Sequence, residues 1–138
     1  MRIMAEIPDD HREKIAADPF CATLGIELTS LEPSGARTEL TITDDLLNFH
    51  GTPHGGVVYS LADAAFAAAS NSEGNAALAL ETNMSYLAAA EVGETLVAVA
   101  EREDETRRTA SYRVDVRADG ENANGETIAI FRGRVYKP

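Results

Sequence analysis

The run GGVVYSLADAAFAAASN, residues 55–71, decides how this chain is read. Val57, Val58, Leu61, Ala64, Ala65 and Ala68 recur at helical spacing and form one apolar stripe, while Gly56, Ser60, Asp63 and Ala67 share the opposite face. The spacing predicts a long central helix over residues 55–72, stopped by the asparagine, serine and glycine that cluster after it. A helix this apolar has to be wrapped by other elements.

The flanking residues supply the wrapping. Residues 9–17, DDHREKIAA, read as a short helix with acids at its positive end, inside an N-terminal helical segment over residues 1–20. Residues 21–32 and 36–43 read as two extended stretches around the turn formers Pro33, Ser34 and Gly35. In the second stretch Thr38, Leu40 and Ile42 alternate with Arg37, Glu39 and Thr41, the pattern of a half-buried strand. After the helix, strands are expected over residues 76–87, 95–103, 109–117 and 127–136, with the loop ADGENANGE at 118–126 before the last. About six antiparallel strands around one helix make an α+β fold, and the lack of βαβ alternation disfavours a doubly wound sheet. The open edges of such a sheet invite pairing with a second copy of the chain.

A length of 138 residues suits one domain over residues 1–138. The 23 acidic residues outnumber 12 basic ones, and the net charge of -11 argues against nucleic acid or an anionic membrane as partner. Among the basic residues only Lys14 and Lys137 are lysines, a bias compatible with salt adaptation or with a GC-rich genome. A single cysteine, Cys21, leaves no intrachain disulfide framework and no cysteine metal cluster. No apolar run approaches the ~18 residues of a membrane span, and the N-terminus lacks a signal-type apolar core. The expectation is a cytoplasmic protein.

The helix start carries the chemistry. Helix N-termini present unpaired N–H groups at the positive end of the macrodipole, and glycines at 55 and 56 let a ligand approach that backbone. Donors so placed can stabilise an oxyanion, and Asp63 on the same helix can activate water or attack directly. Taken singly, Gly55 and Gly56 also read as caps and Asp63 as a solvated acid. Eight residues at about 1.5 Å rise put Gly55 and Asp63 roughly 12 Å apart, whereas a carbonyl oxygen and its attacking water lie within about 3 Å. One helix therefore cannot serve one carbonyl with both groups, and a two-fold dimer with antiparallel central helices is expected.

The segment NFHGTPHGGVVYSLADAAFAAASNS, residues 48–72, resembles the central motif of hotdog-fold thioesterases of the phenylacetic acid degradation group. Asn48, His54, Gly55, Gly56, Leu61, Ala62, Asp63, Ala65, Phe66, Ala67, Asn71 and Ser72 all match it, and the strand order agrees over nearly the whole chain. The resemblance implies hydrolysis of an acyl-CoA thioester in a homodimer or dimer of dimers. It implies no metal and no bound cofactor, coenzyme A being part of the substrate. It makes Asp63 the general base or nucleophile and Gly55 N–H of the opposite subunit the oxyanion donor. His54 would help position that donor, and Asn48 would orient the water or the thioester. Related enzymes often carry a hydroxyl on the next strand where this chain has Ala79, which leaves Thr82 or Ser60 to replace it.

Other residues are weaker candidates. His50 and His54 have a zinc-like i, i+4 spacing, but Gly51 and Pro53 argue against a helix there and no metal site is expected. Arg107 and Arg108, at an expected hairpin, are the best basic pair for the phosphates of CoA, although such pairs also occur as solvated turns. An aryl or medium-chain acyl group would be lined by residues near Leu46, Leu47, Phe49, Tyr59 and Phe66, each of which has an equal reading as core. The alternatives are a hydratase or dehydratase of the same fold, which needs a histidine paired with an acid, and a non-catalytic acyl-CoA sensor, which has no use for Asp63.

Overall fold

The computed structural model describes residues 7–118 and 125–138. Most of the expected loop at 118–126 lies outside them. Two short helices, α1 (Asp9–Ala16) and α2 (Pro19–Leu24), precede the hairpin of β1 (Glu27–Glu32) and β2 (Gly35–Thr41). The long helix α3 (Gly55–Ser70) follows, then β3 (Leu78–Tyr86), β4 (Thr95–Glu105), β5 (Thr109–Ala118) and β6 (Thr127–Tyr136). The six strands form one antiparallel sheet in the order β1-β2-β4-β5-β6-β3, curled around α3.

Residues 21–32 are not extended throughout, as the sequence reading had them. Asp18 caps a helix by accepting from Cys21 N–H, Pro19 sits at its first position, and Gly25 ends it at φ +84°. The central helix stops at Ser70, and Asn71 is its C-cap. Asn71 Nδ2 donates to Ala67 O while its Oδ1 accepts from Ala77 N–H, which turns the chain toward β3. The buried Ser72 hydroxyl donates to Ala69 O and accepts from Ser34 N–H, pinning the β1–β2 turn to the end of α3.

The core follows from the alternation. Along β5, Ala110, Tyr112, Val114, Val116 and Ala118 are buried against α3, while Arg113 and Arg117 point the other way. Along β6 the register shifts between Val116 and Arg117, so Ile128 and Ala129 are both buried in succession. Phe66 of α3 enters the sheet above Gly133, where an added Cβ would stand 2.6 Å from the ring. Its ring centroid lies 5.4 Å from Phe131 and 5.8 Å from Tyr112.

A buried polar contact joins β2 to α3. The Thr38 hydroxyl, on β2, donates to Leu61 O of α3 at 2.9 Å. Thr38→Val keeps the shape and loses the bond, and is expected to lower unfolding stability by about 1 kcal/mol, read from the urea midpoint at unchanged m-value.

Candidate active site

The start of α3 is built by its own cap. His54 is the N-cap residue, and its Nδ1 accepts from Gly56 N–H at 2.9 Å. With Nδ1 accepting, the ring proton sits on Nε2, and the side chain as a whole is exposed. Val57 and Val58 N–H both donate to His54 O, at 2.9 and 3.4 Å. Gly55 N–H has no acceptor among the described residues, so the first free donor of the helix is the one the glycine leaves uncovered. Gly56 is close to the cap in another way: an added Cβ there would lie 3.0 Å from His54 Nδ1, so the ring would have to give by a few tenths of an ångström.

Two contacts hold this turn in place. The Tyr86 hydroxyl, at the end of β3, donates to Gly55 O at 2.9 Å. Burial, followed by the charge of Tyr59, raises the Tyr86 pKa and keeps this donor protonated. Before the helix, Asn48 Oδ1 accepts from His50 N–H, Thr52 N–H and the Thr52 hydroxyl, closing the loop that delivers His54. Because three donors converge on Oδ1, the amide orientation is fixed by its network, and Nδ2 is left without a partner among the described residues.

Asp63 lies two turns further along α3, on the less buried face with Ser60 and Ala67. Its carboxylate has no hydrogen bond or ion pair among the described residues. Burial pushes its pKa above the ordinary aspartate value, and the negative charge of Asp18 pushes it further the same way. Burial also raises the neighbouring Cys21 thiol to about 11, with Asp18 and Asp63 adding to the shift. Cys21 is therefore a thiol near neutral pH and no nucleophile.

The remaining candidates are scattered. The Tyr59 hydroxyl is hydrogen-bonded to Thr82 and its ring packs edge-on against Phe131. Ser60 donates back to Gly56 O, so both hydroxyls proposed in place of Ala79 already have partners. Phe49 is 91% exposed, its ring tilted against that of His50 at a centroid distance of 4.0 Å, while His54 is engaged in the helix cap. Leu46 and Phe66 are buried in the core.

Arg107 and Arg108 stand in the β4–β5 hairpin, where Arg108 Nη1 donates to the Tyr136 hydroxyl. Thr109 pairs with Tyr136 and Tyr136 with Leu78, so this hairpin lies beside the start of β3. Gly55 is held at the other end of that strand, eight residues or roughly 26 Å away. Two participants escaped the sequence reading. Tyr86 and Asp18 reach the site across 31 and 45 residues of chain, and neither has a local pattern that announces it.

A sheet wrapped around one helix, with a free N–H at the helix start and a lone acid on its open face, has the form of a hotdog-fold enzyme. Residues 50–123 match the thioesterase superfamily. The acyl-coenzyme A thioesterase PaaI of Escherichia coli is 35% identical over 120 residues, covering 87% of this chain and 83% of that protein. The structure of E. coli PaaI superposes with a TM-score of 0.84 over 92% of this chain and 89% of its own, at 33% identity. A mutant of the phenylacetic acid degradation protein PaaI from Thermus thermophilus superposes with a TM-score of 0.81 at 40% identity, over 88% of this chain and all (100%) of its own. The chain belongs to the thioesterase superfamily and has the hotdog fold. It is an enzyme of the thioester-hydrolysing class. No helix among the described residues is long and apolar enough to cross a membrane.

Proposed function

We propose that the protein hydrolyses an aryl- or medium-chain acyl-CoA, with water, to the free carboxylic acid and the thiol of CoA. The observation that carries this reading is the pairing of a free Gly55 N–H with an unpaired, half-buried Asp63 on one helix. Their separation along α3, roughly 12 Å at 1.5 Å per residue, requires that each site take one of them from each of two subunits. The sheet offers the means of joining them. β3 is an edge strand of nine residues, paired among the described residues only with β6, and exposes Leu78 at 59% and Leu80 at 52%. An apolar, unpaired edge of that length suits a second copy of the same strand.

In this dimer Gly55 of the partner subunit donates to the thioester oxygen at the positive end of its helix, where charge develops as the carbonyl becomes tetrahedral. The Nε2–H of His54 and the free Nδ2 of Asn48 are donors for the same carbonyl. Asp63 takes the proton from water as it attacks, or attacks the carbonyl carbon itself. Water attack gives the free acid directly, whereas attack by Asp63 gives a mixed anhydride that a water molecule then splits to the free acid and the regenerated carboxylate. In both routes the C–S bond breaks and the sulfur leaves as thiolate, to be protonated as CoA. Burial makes Asp63 a stronger base than an ordinary aspartate, which suits proton abstraction.

Two experiments bear on this reading. Thiol release from phenylacetyl-CoA, benzoyl-CoA and straight-chain esters is expected for the wild-type protein; binding of these esters without release of thiol from any would favour the sensor. The sensor reading is disfavoured by Asp63, since an unpaired carboxylate held from water serves no purpose in binding an anionic cofactor. The pH profile supplies the second test. Asp18 raises the Asp63 pKa, so Asp18→Asn, which retains a capping side chain for α2, lowers it. The acid limb of kcat/KM is expected to move to lower pH in this variant, and an unmoved limb would show that another group controls it.

A further inference from the structure

Neither α1 nor α2 buries a residue. Between this helical pair and α3 lies a cavity of about 450 Å³, inside the size range of small-ligand sites. Its floor is Ala64, Ala67 and Ala68 of α3, and Leu28, Ile15 and Cys21 stand around it. We propose that this cavity is the acyl chamber of the enzyme, receiving the apolar acyl or arylacyl group with its carbonyl at the Asp63 end and its tail toward Asn71.

The position favours this assignment. The floor begins at Ala64, next to Asp63 in sequence, and Ala67 follows one turn later on the face of Asp63 itself. Asp18 and Cys21, both lining the cavity, feel the charge of Asp63 or act on it. From Ala64 to Asn71 the floor runs roughly 10 Å at 1.5 Å per residue. Near Asn71, His11 Nε2 donates to Asn71 O at 2.7 Å and ties α1 to the end of α3.

The chemistry of the lining selects an apolar occupant. The Thr38 hydroxyl is committed to Leu61 O, the Asn71 amide to Ala67 O and Ala77 N–H, and Asp18 to Cys21 N–H. Three alanines along the helix leave the space that leucine or phenylalanine would fill. A phosphate-bearing group would meet Asp18 beside Asp63, and Lys14, the cation of the lining, is exposed and so faces solvent as well as the cavity, which leaves the nucleotide part of CoA outside. The helical pair is thus a wall that faces substrate.

This inference rests on the thioesterase reading, and the test separates the two. Ala67 is exposed, so Ala67→Phe adds a ring to the floor without entering the core. The ratio of kcat/KM for decanoyl-CoA, and for phenylacetyl-CoA, to that for acetyl-CoA is expected to fall about 10²-fold. Ile15→Ala, which widens the opposite wall, is expected to raise the decanoyl ratio several-fold, and serves as the second variant should Ala67→Phe fold poorly. Wild-type hydrolysis with the ratios unchanged in both folded variants would overturn the chamber and leave the thioesterase standing. Absence of thiol release from every ester by wild type would remove both.

Discussion

Asp63→Asn is expected to lower kcat for thioester hydrolysis by about 10²–10⁴-fold, the usual contribution of a positioned general base, while leaving acyl-CoA binding within reach of a competition assay. The substitution preserves shape, and the carboxylate it replaces has no hydrogen bond among the described residues that folding would miss. Stability should move in the opposite direction to activity. A carboxyl whose folded pKa is raised disfavours the charged folded state, so wild type loses stability as pH rises through the interval from the ordinary aspartate value to the raised one. The variant escapes that loss and is expected to melt higher at neutral pH, with the difference closing in acid. A variant equally stable at all pH, or one that hydrolyses normally, would show that Asp63 is an ordinary surface acid.

Phe66→Ala is expected to lower unfolding stability by about 3–5 kcal/mol. The ring is 2% exposed, joins the central helix to β5 and β6, and sits on a sheet position where glycine leaves room for it. Gly133→Ala approaches the same contact from the other side. Its new methyl would have to displace the ring, and overpacking of this kind costs about 1–3 kcal/mol. Because the two positions share one contact, Gly133→Ala should be less damaging when Phe66 is already leucine than when it is phenylalanine. Urea unfolding of the single and double variants reads both effects.

The central helix and the β5–β6 half of the sheet were legible because each buries one side, and burial imposes a period. Val57, Leu61, Ala65 and Ala68 on α3, and Tyr112, Val114 and Val116 on β5, are buried as their spacing required. The short helix α2 was lost because six residues are too few for a period to register, although Asp18, Pro19 and Gly25 mark its ends. Phe66 was considered for the acyl group because it lies in the motif; the distant Gly133 decides that it is core.

The site was legible in part. Gly55, Gly56, His54 and Asp63 lie within ten residues, and their spacing on a helix states their geometry. The Tyr86–Gly55 and His11–Asn71 bonds join residues 31 and 60 apart, which only the fold brings together. β3 was legible as a strand and illegible as an exposed edge, because Leu78 and Leu80 carry the same apolar signal whether their cover comes from this chain or from another.

Subunit complementation tests most directly whether each site is shared. Gly55→Pro removes the proposed donor at the first position of α3, where proline is favoured. The preceding His54, at φ -62° and ψ 134°, already has the conformation a following proline requires. An added Cβ at Gly55 comes no closer than 3.5 Å to Tyr86, an ordinary contact. Alone, Gly55→Pro and Asp63→Asn should each give an inactive dimer. Co-refolded in equal amounts, they should regain about a quarter of wild-type activity, because half the dimers are mixed and each mixed dimer has one intact site. A mixture as inactive as its parents would place Gly55 and Asp63 in the service of separate carbonyls and contradict the shared site.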